Sequence, residues 1–283
     1  MKKAPNVYEF FMLNQREFFA GLKPKTANEY RRLLNNHIMP KFGRRIMEHL
    51  NRHTIKRWHS SLARTTPYQA NRALAVLSRL FSLALDAEVA VANPCREIKK
   101  AKEKPRQTVL EGDQIKTLLD YIGYGNVSVQ EGCFLLVMLY TGARPGELAG
   151  ARWDWLRGNF LNLPDSKVGE RTIYLPEKAL AALHPIMPAK GEPAGQIFPD
   201  VDPTLLWRRV RRACGFQGVR LYDLRHTFAT AALEAGSPLE AISQLLGHSS
   251  PNTTRRYVHM MPQTGLRAAT GAADTISNLA EGK

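Results

Sequence analysis

Eight consecutive residues, Cys133–Tyr140 (CFLLVMLY), are apolar on every side, and Thr141-Gly142 closes the run. A helix with no polar face has to be surrounded, so this half of the chain must pack other elements around a central, buried helix. The run cannot cross a bilayer, which takes about 18 or more apolar residues, and no longer one occurs among the 283 residues. An apolar content of 44% is ample to enclose it. The opening MKKAPNVYEF has two lysines but no apolar core, so no signal peptide is expected. Cys95, Cys133 and Cys214 lie far apart without a CxxC pair. Neither a disulfide framework nor a zinc site is expected, and a cytoplasmic location is.

The formal net charge is +15, and it is unevenly spread. Residues 1–104 hold 21 Lys and Arg against 8 Asp and Glu, whereas residues 105–283 hold 19 against 17. A basic half joined to a near-neutral half points to a polyanion clamp attached to something else, with nucleic acid as the expected partner. A basic surface with no partner is the plainer alternative.

The basic half reads as helices only. Thr26 can cap a helix carrying Tyr30, Leu33, Leu34 and Ile38, which Pro40 would end. Thr54 can cap a second, with Ile55, Trp58 and Leu62. A third runs from about Tyr68 to Asp86, striped by Leu74, Leu77, Leu80, Phe81 and Leu85, and Asn93-Pro94 stops the region. The basic, aperiodic REIKKAKEKPRQ that follows reads as a linker and sets a boundary near residue 103. Beyond it, Gly112-Asp113 opens a helix through Leu118 and Leu119. NFLNLP and RTIYLP flank the turn-like DSKVGE and predict a hairpin. Helices are expected at about 177–186, 203–213, 223–235, 238–246 and 251–260. The expected fold is mainly α: a helical domain over 1–103, then a larger α-rich domain over 104–283 with a small antiparallel sheet.

Five residues could carry chemistry, each with a plainer reading. Arg144 follows the apolar helix and needs an anion or an acid, and Glu147 one turn on makes a structural ion pair equally plausible on its own. Arg225 comes one turn after Tyr222, ahead of a small-residue helix. Two arginines beside packed helices can fork around one tetrahedral anion. Lys167 sits at the predicted hairpin tip, where a solvated lysine is routine. His248 follows Gly247 at a helix end, where a cap or surface role is common. Tyr257 follows SPNTT, which resembles a helix start.

Taken together, TGARPGEL, SKVGERTIYLP, LYDLRHTFAT and LLGHSS…TTRRYVH resemble, in order and spacing, the conserved boxes of the tyrosine recombinase (phage integrase) family over roughly residues 105–262. The N-terminal helices resemble that family's core-binding domain, and no added β-rich arm-binding module is expected. The resemblance implies a site-specific DNA recombinase or integrase that cleaves and rejoins strands through a 3′-phosphotyrosine. Tyr257 is then the nucleophile, Arg144 and Arg225 clamp the phosphate, His248 adds a hydrogen bond and Lys167 is the general acid. Glu147 is expected to orient Arg144. His226, adjacent to Arg225 but on another side of the helix, is expected to be structural.

The chain departs from the family pattern at Tyr222, where histidine is usual. A phenol, with a reference pKa near ~10, is a poor base at neutral pH, so a donor role toward phosphate is expected there. No cofactor or metal is expected. The other histidines, His37, His49, His53, His59, His184 and His259, are left without a role. The implied partners are double-stranded DNA, a tetramer assembled on it from monomers, and an accessory DNA-bending or directionality protein. The tail with Leu266, Ile276 and Leu279 would dock on a neighbouring protomer. A type IB topoisomerase, sharing this chemistry, and a catalytically silent DNA-binding protein on the same scaffold remain as alternatives.

Overall fold

The computed structural model describes residues 4–103, 108–166, 169–188 and 194–247. The chain divides into two compact units, Met1–Pro105 and Arg106–Lys283.

The described part of the first unit is built of helices. Two short ones, α1 (Val7–Leu13) and α2 (Gln15–Phe19), precede those anticipated. Their aromatic residues come in adjacent pairs and give no clear stripe, yet Phe11, Phe18 and Phe19 meet edge to face. The next helix, α3 (Pro24–Leu33), begins before Thr26. Pro24 at its first position brings a preset φ and no N–H to satisfy, which outweighs a threonine cap two residues on. Pro40 does not end this element. The backbone widens into a π-helical turn, Leu34–Ile38, and continues as α4 (Met39–Phe42). Proline gives no hydrogen bond to the preceding turn, and the wider turn absorbs that gap. Leu34, Ile38 and Phe42 all stay buried.

Helix α5 (Arg52–Ala63) is capped by Asn51 rather than Thr54. Asn51 Oδ1 accepts from Thr54 N at 2.9 Å, and asparagine is the stronger cap. Helix α6 (Pro67–Asp86) follows its predicted stripe and buries Leu74, Leu77, Leu80 and Phe81. Part of the expected linker packs onto this unit. Ile98 is buried, and Asn71 on α6 grips Ala101 from both sides, Nδ2 to the carbonyl and Oδ1 from the N–H, each at 2.9 Å. One buried asparagine thus orders a stretch whose composition gives no such signal.

The second unit is built around the apolar run. Helix α7 (Gly112–Gly123) precedes α8 (Val129–Thr141), which buries Phe134, Leu135, Val137 and Met138. A capping box between Ser128 and Glu131 starts α8, and Gly142 at φ +63° ends it. Beyond a short helix, α9 (Pro145–Ala149), the strands β1 (Leu156–Arg157), β2 (Phe160–Ser166) and β3 (Gly169–Tyr174) form an antiparallel sheet in that order. The predicted hairpin is β2–β3, with Leu161 opposite Ile173 and Leu163 opposite Arg171. Helices α10 (Glu177–Leu183), α11 (Pro203–Ala213), α12 (Asp223–Glu234) and α13 (Leu239–Leu246) complete the described part. The helix expected at 251–260 and the tail lie outside the described residues. No helix among the described residues is long and apolar enough to cross a membrane.

Gly142 does more than end α8. A Cβ there would stand 2.5 Å from Phe228 Cδ1 and 3.0 Å from Leu246 Cδ2. Gly142→Ala should therefore combine left-handed backbone strain of about 1–2 kcal/mol with overpacking of about 1–3 kcal/mol. Chemical denaturation should show a loss of roughly 3 kcal/mol; a loss under about 1 kcal/mol would mean that Phe228 swings away at little cost.

Candidate active site

The site is assembled from elements far apart in sequence. The left-handed turn at Gly142 brings Arg144 to the N-cap of α9, which places Glu147 three residues on in its first turn. Arg144 Nη1 meets Glu147 Oε1 at 2.6 Å, and its backbone N–H donates to Oε2 at 3.1 Å. Arg144 Nη2 donates to Gly247 O at 2.8 Å. Arg225, near the start of α12, donates through Nη1 to Gly142 O at 2.7 Å and through Nη2 to Leu246 O. The two arginines singled out in the sequence thus converge on one place, the C-terminal end of α13. The orphan carbonyls of a helix end and its dipole make that place favourable for cations.

Exposure separates the pair. The Arg144 side chain is 20% exposed, whereas Arg225 is fully buried. Tyr222, half-buried at the N-cap of α12, lies beneath Arg225, whose guanidinium carbon is 5.7 Å from the ring centroid. His226, one turn further on and buried, packs edge-on against Tyr222 at 5.4 Å. Lys167, His248 and Tyr257 lie outside the described residues, so the geometry covers Arg144, Glu147, Tyr222 and Arg225.

A third guanidinium escaped the sequence reading. Arg171 points inward from β3, its side chain 4% exposed, and donates to Glu147 Oε2 through Nη1 and to Leu245 O at 2.8 Å through Nη2. Burial holds this guanidinium below the usual arginine range; Glu147 opposes the shift and the like charge of Arg144 adds to it. The available signal was positional. Period-two alternation along RTIYLP puts Arg171 on the same face as Ile173, where an apolar residue is the rule. Glu147 therefore serves two guanidiniums rather than the one expected.

Chemically, the arrangement concentrates fixed positive charge around a helix end, with one carboxylate setting its orientation. Such preorganised donors suit an anion whose charge increases during reaction.

Comparison with known proteins fits this geometry. Residues 108–264 match the model of the phage integrase family, and residues 8–101 match that of the phage integrase central domain. The putative prophage phiRv2 integrase of Mycobacterium tuberculosis is 26% identical over 272 residues, covering 84% of this chain and 71% of that protein. Tyrosine recombinase XerA of Pyrococcus furiosus is 26% identical over 205 residues, covering 68% and 70%. Among solved structures, a lambda integrase (75–356) dimer bound to a COC′ core site superposes with a TM-score of 0.73 at 18% identity, covering 89% of this chain and 95% of that one. A lambda integrase tetramer bound to a Holliday junction gives 0.73 at 17% identity, covering 90% and 78%.

Proposed function

The chain belongs to the phage integrase family, and from that premise we propose that it is a site-specific DNA recombinase acting through a 3′-phosphotyrosine at Tyr257. One observation carries the reading. Arg144 and Arg225, from separate elements, meet at the last turn of α13, and from there the chain continues into His248 and Tyr257.

The chemistry follows from charge. Tyr257 Oη gives up its proton to solvent and bonds to phosphorus as the bond from phosphorus to the 5′ oxygen breaks. Arg144 and Arg225 stabilise the negative charge that gathers on the non-bridging oxygens, with His248 as a further donor. Each such donor is commonly worth about 3–4 kcal/mol of barrier. Lys167 gives a proton to the departing 5′ oxygen, a contribution of roughly 10²–10⁴-fold. The phosphotyrosine conserves the bond energy, so religation by the reverse attack needs no ATP.

Met1–Pro105 is the DNA-clamping unit and Arg106–Lys283 the catalytic one. The excess of basic residues in the first supplies phosphate contacts without base readout. The partner is double-stranded DNA, on which four copies assemble, as the lambda integrase tetramer does on a Holliday junction. An accessory DNA-bending or directionality protein completes the complex, and the protein works in the cytoplasm at the nucleoid.

A covalent trap tests the reading. Purified protein is incubated with fragments of its source genome and denatured in SDS, and the protein-linked DNA is sequenced. Discrete junctions are expected. DNA binding without any adduct would instead support the silent binder. Relaxation of supercoils by the monomer, with no strand exchange, would support a topoisomerase.

Tyr222 is proposed as a hydrogen-bond donor to phosphate, not as a base. Its place under Arg225 supports this. Tyr222→Phe should slow single-turnover cleavage by about 10²-fold, the usual cost of one lost donor, while Tyr222→His keeps most of the rate. Full-rate cleavage by the phenylalanine variant would end the donor role.

A further inference from the structure

Three consecutive carbonyls end α13, and each accepts from a different arginine: Leu245 O from Arg171, Leu246 O from Arg225 and Gly247 O from Arg144. Arg144 and Arg225 have proposed roles at the phosphate. Arg171 has none and, with a side chain only 4% exposed, no open face to offer a substrate.

Keeping it there is costly. Among the described residues its Nε has no acceptor, although the atom is buried. A buried cation with an unmatched N–H is a poor way to fill space, and an apolar side chain would fill it at lower cost. The backbone fits around this side chain. Gly247 lies so close that a Cβ on it would stand 2.6 Å from Arg171 Cδ, and its φ of +60° already requires glycine. Glu147 is held from both sides, by Arg144 through Oε1 and by Arg171 through Oε2. A shift of either guanidinium is therefore passed to the other.

We propose that Arg171 is a positioning residue whose planar fork, spanning Glu147 and Leu245 O, fixes the end of α13 relative to Arg144. It thereby sets the point from which the chain runs into His248 and Tyr257. This role rests on the recombinase reading above. Arg171 touches no substrate and acts only through Arg144 and the helix end.

Arg171→Lys is the informative change. It keeps a positive charge beside Glu147 but loses the rigid fork that serves two acceptors at once. The probe is a duplex carrying a junction recovered from the covalent trap. The variant should bind it with Kd within about twofold of wild type, yet cleave it roughly 10- to 100-fold more slowly in a single turnover, as for a displaced reacting group. Arg171→Ala should regain a several-fold increase in rate when guanidinium ion is added at concentrations that leave wild type unaffected.

Cleavage by Arg171→Lys at the wild-type rate would overturn the proposal. So would a parallel fall in binding, cleavage and thermal midpoint without guanidinium rescue, since that describes mere packing. The two levels separate cleanly. Absence of a Tyr257-dependent adduct from wild type removes the recombinase reading and this role with it. A wild-type adduct beside full-rate Arg171→Lys removes only the role of Arg171.

Discussion

Tyr257→Phe is expected to abolish the protein–DNA adduct while leaving duplex affinity within about twofold of wild type, because in the proposed mechanism its hydroxyl supplies the attacking oxygen and little binding. In the proposed mechanism any other hydroxyl would have to meet the same in-line geometry, and misplacement by about 1 Å already costs roughly 10²-fold. The effect should thus be a loss below detection rather than a graded slowing. The measurement is the SDS-resistant, protein-linked fraction of an end-labelled duplex, with Kd determined in parallel. Binding to that duplex should also fall steeply with salt, by about 10³-fold between 50 and 200 mM if about six phosphates are contacted. An adduct of wild-type yield from the phenylalanine variant would mean that another residue attacks.

Glu147→Ala should cause the largest loss of stability. The carboxylate is 9% exposed and faces Arg144 and Arg171, whose side chains are 20% and 4% exposed. Removing it leaves two guanidiniums in a poorly solvated place without their shared counter-charge. Breaking one buried pair from one side commonly costs about 3–5 kcal/mol. In a unit of this size that corresponds to a fall in Tm of roughly 10 °C. Glu147→Gln, which keeps an acceptor oxygen but no charge, should fall between alanine and wild type. Single-turnover cleavage should drop by about 10²-fold through the displaced Arg144. Differential scanning calorimetry checks the first effect; a fall below about 2 °C would show that water solvates both cations and that Glu147 is not their anchor.

The elements that could be read from the sequence were those where one local signal acts unopposed. The apolar run became α8, the β2–β3 hairpin followed its alternation, and α11 begins and ends where its pattern does. Where two signals competed, the stronger local chemistry prevailed: Pro24 over Thr26, and Asn51 over Thr54. At the site, residue types and spacing singled out Arg144, Glu147, Tyr222 and Arg225. The shared attachment of Arg144 and Arg225 at α13 was not legible, because the acceptors are backbone carbonyls, which every residue has. Arg171 was missed for a related reason. Its neighbours in RTIYLP mark a strand whose alternation sets it on the face of Ile173, but a charged side chain argues for the opposite face, and the observed burial decides between the two signals.

The π-helical turn at Leu34–Ile38 also sets what kinds of sequence change its surface can accept. Met39 N donates to Leu34 O, five residues back, so the turn holds one residue more than an α-turn while Leu34, Ile38 and Phe42 all stay buried. Asn35 and Asn36 are exposed on the outside of that turn. Substituting either leaves the buried line intact, and deleting either removes the one residue by which this turn exceeds an α-turn, so the helix would close on the fourth residue back and Ile38 and Phe42 would keep their facing. At these two positions the chain is indifferent to spelling and has one residue of length to spare.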